Sequence, residues 1–200
     1  MTDSEVSPMG PAPLAAGMSL GTMGMVLTLV SIACFFAALV IAYAFILPDK
    51  PGRAAVAIPW VFWFSTVLML TSSGTLQWAR RSLRRAQLRT YRQRLLVTIV
   101  AGYLFLASQV AGGWLLLASG VGIAGNPQGN MVYVFSFIHG VHLIGGLGGM
   151  HWLYGRSRRI EDGEEQPLRR HRMEARLTGM YWHFMGVLWI GLFAFLLTWN

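Results

Sequence analysis

The feature that most limits how this chain can fold is the distribution of its charge. All sixteen basic residues fall at 50–53, 80–94 and 156–176, and the eight acids lie in the first seventeen residues, next to the first of those clusters (Asp49) or within the last. Between the clusters run five uncharged apolar stretches, at about 20–47, 58–79, 95–119, 131–154 and 178–198. About 20 residues at helical rise cross a ~30 Å hydrocarbon layer, so each stretch is long enough to span a bilayer. A soluble domain carries charge on about a quarter of its residues; here it is 12%. The pattern predicts an all-α, polytopic membrane bundle of five transmembrane helices, residues 18–200, behind a tail at 1–17 rich in Pro, Gly and small residues that buries too little to fold alone. Residues 1–17 hold no Lys or Arg, so a secretory n-region is not expected.

Topology follows from the arginines. Arg80, Arg81, Arg84, Arg85, Arg89, Arg92 and Arg94 come with no acid among them, and the positive-inside bias places that loop in the cytoplasm. The 120–130 stretch has no Lys or Arg and belongs on the other side, while 156–176 returns to the cytoplasm. The N-terminus is then cytoplasmic and the C-terminus external. The same bias accounts for the +8 net charge, so no nucleic-acid partner is expected. Cys34 stands alone and rules out a disulfide framework.

The second stretch opens on Trp60, Phe62 and Trp63, read as an interfacial aromatic belt. Its hydroxyls (Ser65, Thr66, Thr71, Ser72, Ser73, Thr75) are read as bonded back to the preceding turn or across to a neighbouring helix, with a solvated polar path as the alternative. In the fourth, His139, His142, Gly146 and Gly149 recur at helical spacing on one face, and Gly145 with Gly149 makes a small-xxx-small pair for close approach. In the fifth, Gly179, His183 and Gly186 share a face, with Trp182 and Trp189 on the neighbouring stripe.

Intramembrane histidines are functional candidates by default. Neutral His139, His142 and His183 could hydrogen-bond across helices, could sit near a lipid headgroup or proton path, or could form a bis-histidine haem pair, His139 or His142 with His183. That last reading makes the chain a small membrane cytochrome. No carboxylate or thiolate stands by to complete a non-haem metal site, and no acid orients a histidine for hydrolysis. The stretches hold no Asp, Glu, Lys or Arg to carry an ion, which argues for a subunit rather than an autonomous pump.

Residues 20–200 resemble, in order, subunit III of the haem-copper cytochrome c and quinol oxidases in its five-helix bacterial form. The resemblance lies in Leu20-Gly21 through Phe35-Phe36 and Tyr43, in Leu70-Thr-Ser-Ser73 with Thr75 and Ala79, in Gln109 with Trp114, in His139-Gly-Val-His142, and in Thr178-Gly-Met-Tyr-Trp-His183-Phe. It implies a chain with no cofactor of its own, haem and copper being held by the catalytic subunit I. It also implies phospholipid in a helical cleft, support for oxygen reduction and proton uptake, and residence in the bacterial inner membrane. The related accessory subunit of nitric oxide reductases is the other branch it fits. Ile32, Gly186 and Arg176 stand where the family commonly has carboxylates, which removes a proton-antenna role. Lipid or subunit contacts are expected at His139, His142, His171, Arg172, Arg176, Trp182 and His183, with helix packing at Gly145, Gly149, Gly179 and Gly186.

Overall fold

In a computed structural model, the described residues are 19–46, 59–120, 127–160 and 165–198. They form five α-helices and no strand: α1 Leu20–Ile46, α2 Trp60–Arg84, α3 Leu88–Ala118, α4 Pro127–Ser157 and α5 Glu165–Thr198. The expected tail at 1–17 and the basic cluster at 50–53 lie outside the described residues. Four helices, α1, α3, α4 and α5, are long and apolar enough to cross a membrane. At 25 residues α2 has the length, but its hydroxyls and terminal arginines make it less apolar than the other four.

The helices outrun the apolar stretches, and this relocates the arginines. The residues at 80–94 are not a loop. They complete the last turns of α2 and the first turns of α3, joined by a tight turn in which Ala86 takes a positive φ of 57°. Likewise α4 carries on to Ser157, and α5 opens at Glu165 with Pro167 in its first turn, where the missing N–H has no helical partner to lose. The 31 residues of α3 span about 46 Å at 1.5 Å per residue, well beyond the hydrocarbon thickness. The surplus is the arginine-bearing extension.

These extensions are tied to one another at a single end of the bundle. Arg172 of α5 donates from Nε to the Leu83 carbonyl at 3.3 Å and from Nη2 to that of Arg84 at 3.2 Å, satisfying the open carbonyls at the end of α2. Arg92 of α3 donates to the carbonyls of Ser157 and Ile160 beyond α4. Arg94 reaches Ser82 Oγ at 2.7 Å.

Helix α5 is the axis of the packing. Two fully buried tryptophans, seven residues apart, each meet residues of three other helices. Trp189 stacks with Phe62 of α2 (ring centroids 6.2 Å apart) and meets Phe105 of α3 edge-on at 5.2 Å and His139 of α4 at 5.4 Å. Phe62 therefore belongs to the core, at 1% exposure, while Trp60 and Trp63 face outward as the belt reading requires. Trp182 is wedged where Gly102 of α3 and Gly146 of α4 leave room; a Cβ on either would come within about 3 Å of the indole. Helix α1 is peripheral. Only 11% of its apolar window is buried, against 50% for α3, and it docks through Phe36 and Tyr43 onto His142, Phe135 and Phe195.

Candidate functional site

Among the described residues, two polar regions stand out, one inside the bundle and one at its arginine-rich end. The internal one is built by the hydroxyls of α2. Ser65 and Thr66 both donate to the Phe62 carbonyl, Thr71 to Val67, Ser72 to Met69 and Thr75 to Ser72, at 2.8–3.0 Å. With their protons so placed, their lone pairs are free to receive donors from other helices. Gln109 Nε2 donates to Ser65 Oγ at 2.8 Å, Trp182 Nε1 to Ser72 Oγ at 3.1 Å and Trp189 Nε1 to Thr66 Oγ1 at 3.1 Å, while Thr75 and Thr98 share a 2.9 Å bond. Ser65, Thr66, Ser72 and Thr75 thus both bond back and bond across, and these four form a set of braces, while Thr71 only bonds back.

The histidines do not supply those braces. His142 Nδ1 donates to the Ile138 carbonyl of its own helix at 2.8 Å, and the cross-helix bond at that level is Tyr181 Oη donating to the His142 carbonyl. His139 has neither ring nitrogen paired and is 0% exposed, held between Phe105 and Trp189. His183 is half-buried on α5 and makes no hydrogen bond among the described residues. The geometry does not suit a haem between His139 and His183. His139 lies level with Trp189, six residues or about 9 Å along α5 from His183, and aromatic rings close around it. Among the described residues, no three His, Cys, Asp or Glu side chains converge on a common point.

Of the expected contact residues, His139, Trp182 and His171 are fully buried by the chain's own helices. His171 Nε2 lies 3.2 Å from Tyr91 Oη, and its other nitrogen faces Glu174 Oε2, which pairs with Arg156 at 3.3 Å. That cluster joins α3, α4 and α5 where the arginine extensions begin. His142, His183, Arg172 and Arg176 keep exposed surface.

The glycines pack as expected in kind but not in rank. Gly145 and Gly149 have ordinary neighbours, Tyr181 Oη at 3.9 Å and Thr178 Cγ2 at 3.5 Å from an added Cβ, whereas Gly146 is tighter at 3.1 Å from both Trp182 and Tyr181. Gly179 and Gly186 turn the same face of α5 toward α2. Gly186 meets Ser73 and Met69, and Gly179 meets not a helix backbone but the side chain of Arg80, whose Cδ and Nη1 lie 3.0 Å from where a Cβ would stand.

Arg80 leads to the second region. Between the last turns of α2 and the first turns of α5 lies a cavity of about 550 Å³, walled by Arg80, Arg84, Arg169, Arg172 and Arg176, with Leu83, Met173 and Ala175 as its apolar part. Arg80 contacts Gln77 Oε1 at 3.3 Å. Burial first, then the like charges of Arg84 and Arg176, pushes its pKa below the ordinary arginine value. Residues 80, 83 and 84, and residues 169, 172, 173 and 176, each follow helical spacing on one face. That periodicity was the signal that could have singled out Arg80, Arg84 and Arg169 from the other arginines. A second cavity of about 470 Å³, between the end of α4 and the start of α5, is lined by Trp152, Gly155, Arg156, Arg159, Ile160 and Pro167.

Comparison with known proteins adds the following. The family model described as cytochrome c oxidase subunit III matches residues 12–200. The "Probable cytochrome c oxidase subunit 3" of Nocardia farcinica is 29% identical over 129 residues, covering 64% of this chain and 61% of that protein. The "Cytochrome c oxidase subunit 3" of Thermostichus vulcanus is 27% identical over 180 residues, 87% of this chain and 85% of that protein. The one from Latimeria chalumnae is 27% identical over 136 residues, 68% and 49% of the two chains.

Proposed function

The chain belongs to the cytochrome c oxidase subunit III family and is an integral membrane protein, and on that premise we propose that it is the non-catalytic subunit III of a bacterial respiratory haem-copper oxidase. It packs against the catalytic subunit I, which carries the haem and copper, holds phospholipid along its helices, and supports oxygen reduction and proton uptake in that neighbour. The observation that carries this reading is the family match along almost the whole chain. The internal braces support it, because Trp182, Trp189 and Gln109 spend the polar groups of the bundle on holding helices together.

Helix α2 is the fifth membrane crossing, since it packs along α3 and α5 and its hydroxyls at Ser65, Thr66, Thr71, Ser72 and Thr75 donate to carbonyls of their own helix. The arginine-rich end faces the cytoplasm of a bacterial inner membrane, as the positive-inside bias requires. Lipid contact falls to the groups with exposed surface, His142, His183, Arg172 and Arg176.

Purification of the tagged chain from its own membranes in mild detergent tests the reading. A large polytopic subunit bearing haem and copper should accompany it, with oxygen-reducing activity. A chain that purifies without such a partner, or that itself carries a tightly held chromophore, would overturn it. Orientation is checked in a Cys34→Ser background: Arg89→Cys should react with an impermeant maleimide from the cytoplasmic side and Ser119→Cys from the outside only.

A further inference from the structure

We propose that His171 and the groups around it form an acid-sensitive clasp, which holds the charged ends of α3, α4 and α5 together while the imidazole is neutral and releases them when it takes a proton. Such a clasp is independent of the oxidase partner.

Three links close a circuit at this end of the bundle. His171 of α5 meets Tyr91 of α3, with Nε2 3.2 Å from Tyr91 Oη. Glu174, one turn further along α5, pairs with Arg156 of α4 at 3.3 Å. Arg92 of α3 donates to the carbonyls of Ser157 and Ile160 beyond α4. Each of the three helices is thus tied to the other two. At the centre of the circuit His171 and Tyr91 are both 0% exposed. The cluster lies in the charged extensions, before the apolar run that begins at Thr178.

The circuit suits a neutral imidazole. Tyr91 keeps its phenolic proton, because burial first and then the charge of Glu174 push its pKa above the ordinary value, so its O–H donates to His171 Nε2. The imidazole hydrogen is then on Nδ1, which faces Glu174 Oε2 at 3.8 Å, beyond hydrogen-bond reach. A further proton has to enter at Nε2, where Tyr91 already points one. Among the described residues, the charges facing the imidazole are Arg92 from α3, Arg156 from α4 and Glu174 from α5. Glu174 alone favours an imidazolium, but its carboxylate is shared by Arg156 and Arg170. Burial and the cations prevail: burial first, then Arg156 and Arg92, pushes the His171 pKa down to about 4. A histidine released into water returns to about 6.5. Above that value the imidazole is neutral whether the clasp is closed or open, and the clasp is at full strength. As pH falls from about 6.5 towards 4 only the open state takes the proton, so the opening equilibrium rises by up to about tenfold per pH unit. Acidification on this side of the membrane therefore loosens the helix ends before the core.

The test uses the full chain in nanodiscs, isotope-labelled at histidine and carrying a histidine tag as internal reference. In an NMR titration from about pH 7.5 to 5 the tag imidazoles should take protons at their ordinary pKa while the His171 imidazole stays neutral. Amide exchange, normalised to the intrinsic rate at each pH, should show protection at 153–157 and 171–175 falling by up to about tenfold per pH unit below about 6.5, with protection at 98–105 unchanged. His171→Gln keeps a polar side chain at the site but none that titrates. In that variant protection at the same amides should not change between about pH 6.5 and 5, where ordinary carboxylates stay ionised. A His171 imidazole that titrates together with the tag overturns the proposal, as does a pH dependence in His171→Gln equal to that of the wild type. If the variant does not fold, the wild-type chain decides alone. A neutral imidazole with protection that falls in acid at 153–157 and 171–175 supports the clasp, and a neutral imidazole with protection indifferent to pH overturns it.

Discussion

At the scale of single residues, the interior of this bundle ranks its polar groups by whether they have partners. Gln109 Nε2 has Ser65, so Ser65→Ala strands a buried donor and should cost about 1–3 kcal/mol, whereas Ser65→Ala with Gln109→Leu should cost much less, because both ends of the bond vanish together. A double-mutant cycle followed by thermal unfolding in detergent reads the difference. His139 poses the opposite case. With both nitrogens buried and unpaired, His139→Phe should leave stability unchanged or raise it by up to about 1–3 kcal/mol. A large loss in that measurement would show that the imidazole has a partner the chain itself does not supply. The spacing of His139, His142, Gly146 and Gly149 revealed which face of α4 is buried. It could not reveal that the indoles and a glutamine, rather than the imidazoles, cross between helices, because that depends on which rotamers the neighbours leave open. Gly146 was likewise legible as part of a face, but its tight fit on Trp182 depends on where the other helix comes.

At the scale of the helix, the ends matter more than the middles. The apolar stretches read from sequence overlap the five observed helices in order, so the existence of five helices was legible from charge-free length alone. Their ends were not, because arginine is a good helix former and nothing at 80–94 marks a stop except the turn at Ala86. Arg172 ties the end of α2 to α5, so Arg172→Ala should cost roughly 1–2 kcal/mol after allowance for partial exposure, and amide exchange at 80–87 should quicken while that of α3 at 98–105 stays slow. A variant in which both regions quicken equally would show that the bond supports the whole bundle and not that helix end. Trp182 holds the centre of α5 in the same sense: Trp182→Ala, opening a cavity against Gly102 and Gly146, should cost about 3–5 kcal/mol, and Trp182→Phe less, with the bond to Ser72 lost.

For the whole molecule, the segregation of charge was enough to reach the fold class and the arginine-rich end, and a run of short motifs was enough to reach the family. The cavity between α2 and α5 was beyond reach of that reading, since two arginine clusters far apart in sequence share one cavity only once the end of α2 lies beside the start of α5. The peripheral place of α1 was equally hidden: a charge-free apolar stretch does not say how much of it meets protein, and most of the surface of α1 is open. Its principal contact is α5, and that has a consequence for how the protein is made. Helix α1 leaves the ribosome before α5, so it must wait in the bilayer for that contact until α5 has been inserted. Chains halted before residue 178 should therefore keep α1 inserted but undocked, and pulse-labelled cells should clear them faster than full-length chains. Equal lifetimes would mean that some other membrane protein chaperones α1 in the interval.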